Sequence, residues 1–224
     1  MESQHYVIIH KEYLNYNTFI MKVSTATKHQ STTTSCYARI KGNESFKPYS
    51  PIKVEDYSLT FIIKNYEQGN VSKFISEKNV NDTLEIQFPF SKCKFKDISD
   101  VLMIAGGTGI TPMLQILYNS KMGKNNFTLL FYNKSDEDIF YAKELDELAN
   151  VFYFVEKGSH LIGKPSLQNI KEATNNKMYK YVYVCGPPGM MECVCGKKNP
   201  DKSQGELKGI LKELGYNENN VHKF

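Results

Sequence analysis

The chain has no apolar run long enough to cross a membrane; its longest, such as Val101–Ala105 and Leu129–Tyr132, fall far short of a span. Nor has it an excess of one charge, since 28 Lys and Arg against 24 Asp and Glu leave a formal +4. The lysines are scattered rather than gathered on one tract, which excludes a nucleic-acid footprint. The N-terminus, MESQHYVIIHKEY, lacks the basic-then-apolar order of a secretory signal. Among the five cysteines (Cys36, Cys93, Cys185, Cys193, Cys195) no two stand at zinc spacing, and Cys193-Val-Cys195 is too tight for paired ligands. No Ser-His-Asp arrangement and no carboxylate pair is evident. His5, His10, His29, His160 and His222 are scattered, as surface residues would be. These absences lead to the expectation of a soluble, cytoplasmic protein with reduced thiols, no structural metal and no transmembrane segment. Peripheral attachment to a membrane stays open.

What is present changes character partway along. A length of 224 residues suffices for one large domain or two modest ones. The first hundred residues alternate apolar and polar positions in short runs: Tyr6–His10, Phe19–Val23, Cys36–Ile40, Leu59–Ile63 and Leu84–Phe88. Such runs, broken by Gly, Pro and Asn, suggest an antiparallel barrel or sandwich. One helical stretch, Ser72–Glu77, follows Gly69. From Asp100 onward strands and helices alternate, as in a parallel sheet covered on both faces. The strands are expected at Val101–Ala105, Phe127–Tyr132, Val151–Val155 and Tyr181–Cys185. Helices are expected at Pro112–Asn119, Ile139–Leu148, Leu167–Ala173, Pro188–Val194 and Leu207–Leu214. The boundary falls near Lys96–Asp100, giving domains 1–97 and 98–224. The polar run Gly196–Gly205 has no apolar anchor and reads as a mobile loop.

One stretch, Ile104–Met113 or "IAGGTGITPM", puts three glycines into four residues between the first parallel strand and its helix. Open α/β sheets bind ligands there, beyond the carboxyl ends of their strands. Bare backbone lets a pyrophosphate come close, and a helix N-terminus offers it unpaired N–H groups. Thr111 fits the N-cap and Pro112 the first helical position. A tight strand-to-helix turn with no ligand would also account for the pattern. "CGPPGM", Cys185–Met190, repeats the arrangement after a second strand, although a cysteine there is also an ordinary small buried residue. In the first half, "KPYSP" (47–51) presents a cation, a phenol and a hydroxyl on a rigid turn. "IIKNYEQGNVS" (62–72) ends in a glycine turn opening a helix. Taken singly, these two are a common proline turn and a common helix start.

Together, in this order, the four stretches resemble the ferredoxin reductase superfamily of flavin oxidoreductases, and within it the NADH–cytochrome b5 reductase family. "LLFYNKSDEDIFYAKELDEL" and the terminal Phe224 resemble that family as well, and the likeness runs from about Ala38 to the end. The resemblance implies a two-domain fold, a small antiparallel FAD-binding β-barrel followed by a parallel-sheet α/β domain that binds NADH. It assigns Lys47 to the FAD phosphates and Tyr49 and Ser50 to the ribityl and flavin edge. Pro48 and Ile62 join the same site. The backbone of Asn70 and Val71, with the Ser72 hydroxyl, would take the pyrophosphate. On the nucleotide side it implies Gly107, Thr108, Gly109, Thr111 and Pro112, then Cys185, Gly186, Pro187, Pro188 and Met190, with Phe224 at the end. Lys64, Thr108 and Cys185 would stand nearest the chemistry. Glu156 falls where the family carries an acidic residue that repels the 2′-phosphate of NADPH, though a solvated strand-end glutamate reads the same.

The implied activity takes a hydride from NADH onto FAD and passes single electrons to a one-electron carrier such as cytochrome b5, in a monomer. The rival readings are an NADPH-dependent reductase of a ferredoxin-like carrier and a non-catalytic nucleotide-binding descendant that has lost FAD. Four departures from the family pattern bear on how tightly FAD is held, and the first, a shortened barrel, is the support for the non-catalytic reading. Lys47 stands for the family's arginine and lacks its bidentate fork. Val23–Tyr37 lacks the usual glycine-containing link, and Gln87-Phe88-Pro89-Phe90 lacks the glycine expected beside that proline.

Overall fold

The computed structural model describes residues 2–29, 34–94 and 99–224. Part of the Val23–Tyr37 link and most of the expected boundary segment lie outside the described residues. The chain forms two compact units, Met1–Phe95 with Leu114–Asn119, and Lys96–Met113 with Ser120–Phe224.

The first unit is a barrel-like antiparallel sheet. Its strands are β1 (Gln4–Tyr13), β2 (Thr18–Ser24), β3 (Thr34–Lys41), β4 (Phe46–Tyr49), β5 (Lys53–Glu55), β6 (Ser58–Lys64) and β7 (Thr83–Lys94), in the order β4-β3-β7-β1-β2-β6-β5. The period of two is literal in β2, where Phe19, Met21 and Val23 are buried and Ile20 and Lys22 are not. They meet Tyr6, Ile8, Ala38, Ile40, Phe61, Leu84 and Ile86 in one core. Helix α1 (Asn70–Ser76) adds Val71 and Ile75 to it and begins two residues before the sequence suggests. "KPYSP" is not wholly a turn. Pro48 sits in the edge strand β4 opposite Arg39, a place where a missing N–H leaves no ladder bond unmade.

His29 is not a surface histidine. Its Nδ1 donates to the Glu55 carbonyl at 2.7 Å, leaving Nε2 to accept the Tyr6 hydroxyl at 3.0 Å. Burial pushes that phenol up to about 12.

The second unit is a six-stranded sheet with every pair parallel. Its strands are β8 (Val101–Gly106), β9 (Phe127–Ser135), β10 (Asn150–Lys157), β11 (Leu161–Ile162), β12 (Tyr181–Cys185) and β13 (Val221–Lys223), and the order is β11-β10-β9-β8-β12-β13. Helices α2 (Thr111–Asn119), α3 (Ala142–Leu148), α4 (Leu167–Ala173), α5 (Pro188–Cys195) and α6 (Gly209–Glu213) connect them. All of β8 is buried, as a central parallel strand requires. The strands run outward from β8 to β11 on one side, and then the chain returns to lay β12 and β13 on the other. The order therefore reverses between β8 and β12.

The run Gly196–Gly205 is held, and its anchor is a charge rather than an apolar residue. The buried Lys223 ammonium donates to the carbonyls of Glu206 at 2.8 Å, Lys197 at 3.3 Å and Gly205 at 3.4 Å. Gln204 completes the anchor by bonding the Lys223 backbone at both N–H and C=O. Among the described residues no helix is long and apolar enough to cross a membrane, and no cluster of three or more His, Cys, Asp or Glu side chains could hold a metal.

Candidate functional site: the carboxyl edge of the parallel sheet and the β4–α1 face

Four glycines mark the ends of β8 and β12, and they are bare for different reasons. Gly107 has φ +52°, the left-handed region, and a Cβ built on it would meet nothing within 4 Å. Gly109 faces the protein instead: its Cβ would lie 2.2 Å from the carbonyl oxygen of Cys185. Gly106 and Gly186 both face the sulfur of Met190. Of these four, only Gly107 turns its missing side chain to open space at the point where the strand order reverses, the position at which open α/β sheets take ligands.

Residues 107–110 form one tight helical turn before α2. Thr111 does not cap that helix. It is already helical, and its buried hydroxyl donates to the Thr108 carbonyl at 3.1 Å. Pro112 is therefore the second helical residue, still within the first turn, where N–H groups have no intrahelical partner. The Thr108 side chain is half-buried beside Gly107. Cys185 is half-buried, and Pro187 and Pro188 are exposed at the start of α5. Phe224 closes the same region from β13: its N–H donates to the Val184 carbonyl at 2.9 Å, and its ring lies 5.7 Å from Tyr183 and 4.8 Å from His222. His222, packed between these rings, is half-buried rather than on the surface.

Asn133, near the carboxyl end of β9, is a residue the motifs did not single out. Both its side-chain Nδ2 and Oδ1 are buried without a hydrogen-bond partner. Buried amides are normally satisfied, so an orphan pair at a ligand edge marks bonds left for something else. Its one trace in the sequence was membership of the "LLFYNKSDEDIF" segment. Further along that edge, Glu156 is exposed and pairs with Lys164 at 3.2 Å. Asp136 ties two turns together, accepting from the Ser159 N–H at 2.7 Å, the Ser159 hydroxyl at 2.9 Å and His160 Nδ1 at 2.6 Å. The His160 bond, then those from Ser159, holds its carboxyl far below the ordinary range.

In the first unit, α1 opens without any side-chain cap, so the amides of Asn70, Val71 and Ser72 begin the helix bare. A Cβ on Gly69 would lie 2.3 Å from Ser72 Oγ and 3.0 Å from the Tyr66 carbonyl oxygen, so any other residue there displaces that hydroxyl. The Ser72 hydroxyl oxygen is buried and accepts the Tyr66 N–H at 3.3 Å, leaving its own proton to donate. Lys47 and Pro48 are exposed on β4, and Ser50 is half-buried. Burial, then the Tyr66 phenol, pushes Tyr49 up to about 12, so it is a donor at neutral pH. Ile62 is buried, Lys64 is half-buried at the end of β6, and the neighbouring Asn65 Oδ1 is buried without a partner. The chain's one arginine, Arg39, lies over the rings of Phe46 and Phe90, and Lys47 is the cation of the motif.

Two contacts that set this face were invisible in the sequence. Lys11 caps the far end of α1, donating to the carbonyls of Ser76 at 2.5 Å, Lys78 at 2.6 Å and Ile75 at 3.3 Å. Gln115, on the part of α2 that belongs to the first unit, is buried. It accepts the Cys36 N–H at 2.8 Å and donates to the Pro51 carbonyl at 2.6 Å, fixing the end of "KPYSP".

Residues 5–95 match the oxidoreductase FAD-binding domain, and residues 103–196 match the oxidoreductase NAD-binding domain. A protein of Vanderwaltozyma polyspora, NADH-cytochrome b5 reductase 2-A, is 36% identical over 205 residues, 82% of this chain and 69% of its own. The chain belongs to the NADH–cytochrome b5 reductase family. NADH-cytochrome b5 reductase 2 of Coccidioides immitis is 37% identical over 201 residues, and that match takes in 80% of this chain but only 62% of the relative, less than two thirds of its length. Two solved structures share the fold. The cytochrome b5 reductase domain of Ulva prolifera nitrate reductase superposes with TM-score 0.77 at 18% identity, covering 100% of this chain and 97% of that one. The FAD/NAD-binding domain of Vibrio cholerae nitric oxide dioxygenase gives 0.79 at 19%, covering 100% and 98%. The donor sets fit the two cofactors of this family. The bare helix start at Asn70, the phenol of Tyr49 and the unpartnered Asn65 oxygen suit FAD, and the Gly107 opening with the orphan Asn133 amide suits a pyridine nucleotide.

Proposed function

We propose that this protein is a flavoprotein reductase that takes a hydride from NADH onto FAD and passes electrons singly to an acceptor of the cytochrome b5 kind. The observation that carries this reading is the edge where β8 and β12 end, open at Gly107 and bordered along β9 by the unsatisfied Asn133. Flavin supplies the chemistry no side chain here can, exchanging two electrons with a nicotinamide and one at a time with a metal centre. The side chains bind and orient. Lys47 would meet FAD phosphates as a point charge, and the amides of Asn70 and Val71 with the Ser72 hydroxyl would bond the pyrophosphate. Tyr49, protonated at neutral pH, and Ser50 would donate to the ribityl side, while Lys64 would stand at the mouth. Thr108 and Gly107 would line the nicotinamide end, with Cys185 and Gly186 through Pro188 on its other border. Phe224 would keep water from the reacting atoms.

Glu156 would bond the ribose hydroxyl of NADH and oppose a 2′-phosphate. The NADPH alternative draws on one observation, the Lys164 ammonium 3.2 Å from that carboxylate, which offsets part of the repulsion. The test is direct. Denaturing the purified protein after FAD supplementation should release FAD, and NADH should drive cytochrome b5 reduction with a higher kcat/KM than NADPH. No released flavin would overturn the flavoprotein reading, and a preference for NADPH would overturn the role of Glu156.

A further inference from the structure

Two of the four glycines at the sheet edge are occupied by a sulfur atom. A Cβ on Gly106 would lie 2.5 Å from Met190 Sδ, and one on Gly186 would lie 2.6 Å from the same atom. The ring Cδ of Pro187 closes the Gly106 side at 2.9 Å. The Met190 thioether, in the first turn of α5, therefore sits in a slot between the ends of β8 and β12, the two strands between which the sheet order reverses. An unbranched, polarisable thioether suits a narrow slot lined by bare backbone. Met190 is half-buried, as are Met122 and Met191, whereas Met21, Met103 and Met113 are fully enclosed; of the three half-buried methionines, Met190 is the one whose sulfur faces Gly106 and Gly186.

We propose that Met190 is an oxidation site for hydroperoxides, and that its sulfoxide releases the pyridine nucleotide from this edge. This rests on the reading of the β8–β12 edge as the nucleotide seat. In the reaction the peroxide O–O bond breaks and one oxygen forms the S–O bond, taking two electrons from sulfur. The other oxygen leaves as water with the two protons of hydrogen peroxide. The sulfoxide is polar and bulkier than the thioether, and the slot has no room for a Cβ on either glycine. Gly106 and Gly186 must separate or the side chain must swing into the crevice, and each movement shifts a turn that borders the nucleotide.

Met178 provides the control. It is the more exposed residue, at 53% accessibility, and it precedes β12 at the strand's opposite end from Cys185. The experiment treats FAD-supplemented protein with hydrogen peroxide, maps sulfoxides by peptide mass spectrometry, and measures NAD+ binding by calorimetry. Wild type and Met178→Leu should lose affinity about tenfold in step with Met190 oxidation. Met190→Leu should hold its own starting affinity through the treatment. Methionine sulfoxide reductase should restore wild-type affinity in step with loss of the Met190 sulfoxide peptide, which separates this sulfur from the Cys185 thiol even where the Met190→Leu variant folds poorly. Full oxidation of Met178 with Met190 still reduced would overturn the proposal, as would a Met190 sulfoxide with unchanged affinity. Absence of NAD+ binding before any peroxide is added would instead overturn the nucleotide seat, and this inference with it.

Discussion

Gly107 and Gly109 stand two residues apart in the same motif, and substitution separates their roles. Alanine at Gly109 drives a methyl into the Cys185 carbonyl, so β12 must give way. A stability loss of about 1–3 kcal/mol is expected, read as a lowered Tm whether or not nucleotide is present. Alanine at Gly107 meets no atom but must hold a positive φ, at about 1–2 kcal/mol. That variant should keep its FAD and yet be reduced slowly by NADH in stopped flow; reduction at the wild-type rate would make the bend a structural turn only. Asn133→Leu tests the orphan amide. It keeps the γ-branched outline and removes two buried unsatisfied atoms, so stability should hold or rise by about 1–2 kcal/mol while the Kd for NADH increases. A drop in stability with unchanged Kd would show that the amide serves the fold.

At the level of elements, β1 to β3 and β7 were legible as alternating runs, β6 as an apolar run whose burial is continuous rather than alternating, and β8, β9, β10 and β12 as short apolar runs beside helices. The missed strands are β4, β5, β11 and β13, of 4, 3, 2 and 3 residues. Pieces so short carry at most two full periods, and each lies at a sheet edge, where pairing rather than pattern defines it. The motif glycines were legible as bare backbone, but what each faces depends on residues about eighty positions away, as Gly109 on Cys185 shows. Lysines that bond carbonyls leave no pattern at all. Lys223 is the clearest case, and Lys223→Met should free the Gly196–Gly205 run, with faster amide exchange there and a cost of about 2 kcal/mol from the lost charge-assisted bonds. Unchanged exchange in that run would show that Gln204 suffices. Asp136 gives the turns after β9 and β10 a pH dependence. Its folded pKa lies below the ordinary 3.8, so its contribution is complete above that value and is lost as pH falls through the folded one. The Tm gap between wild type and Asp136→Asn should therefore be widest above pH 3.8 and close in stronger acid. A gap that stayed constant down to the lowest pH would assign the bonds no linkage.

For the molecule as a whole, the FAD-binding match comes first in the chain and the NAD-binding match second, and each coincides with one pattern of alternation. Each motif taken singly has an ordinary reading, and it was their occurrence together in one order that made them readable. The chemistry itself leaves little mark on side chains, since positioning two cofactors needs bare backbone, a few hydroxyls and one or two cations. The proposal stands or falls on electron flow from a nicotinamide to a flavin held by this chain. An anaerobic titration of the FAD-loaded protein with NADH follows that flow in the visible spectrum. The yellow absorbance should bleach in proportion to NADH added and return when oxidised cytochrome b5 is mixed in. A flavin that stays oxidised under excess NADH would contradict the proposed function outright.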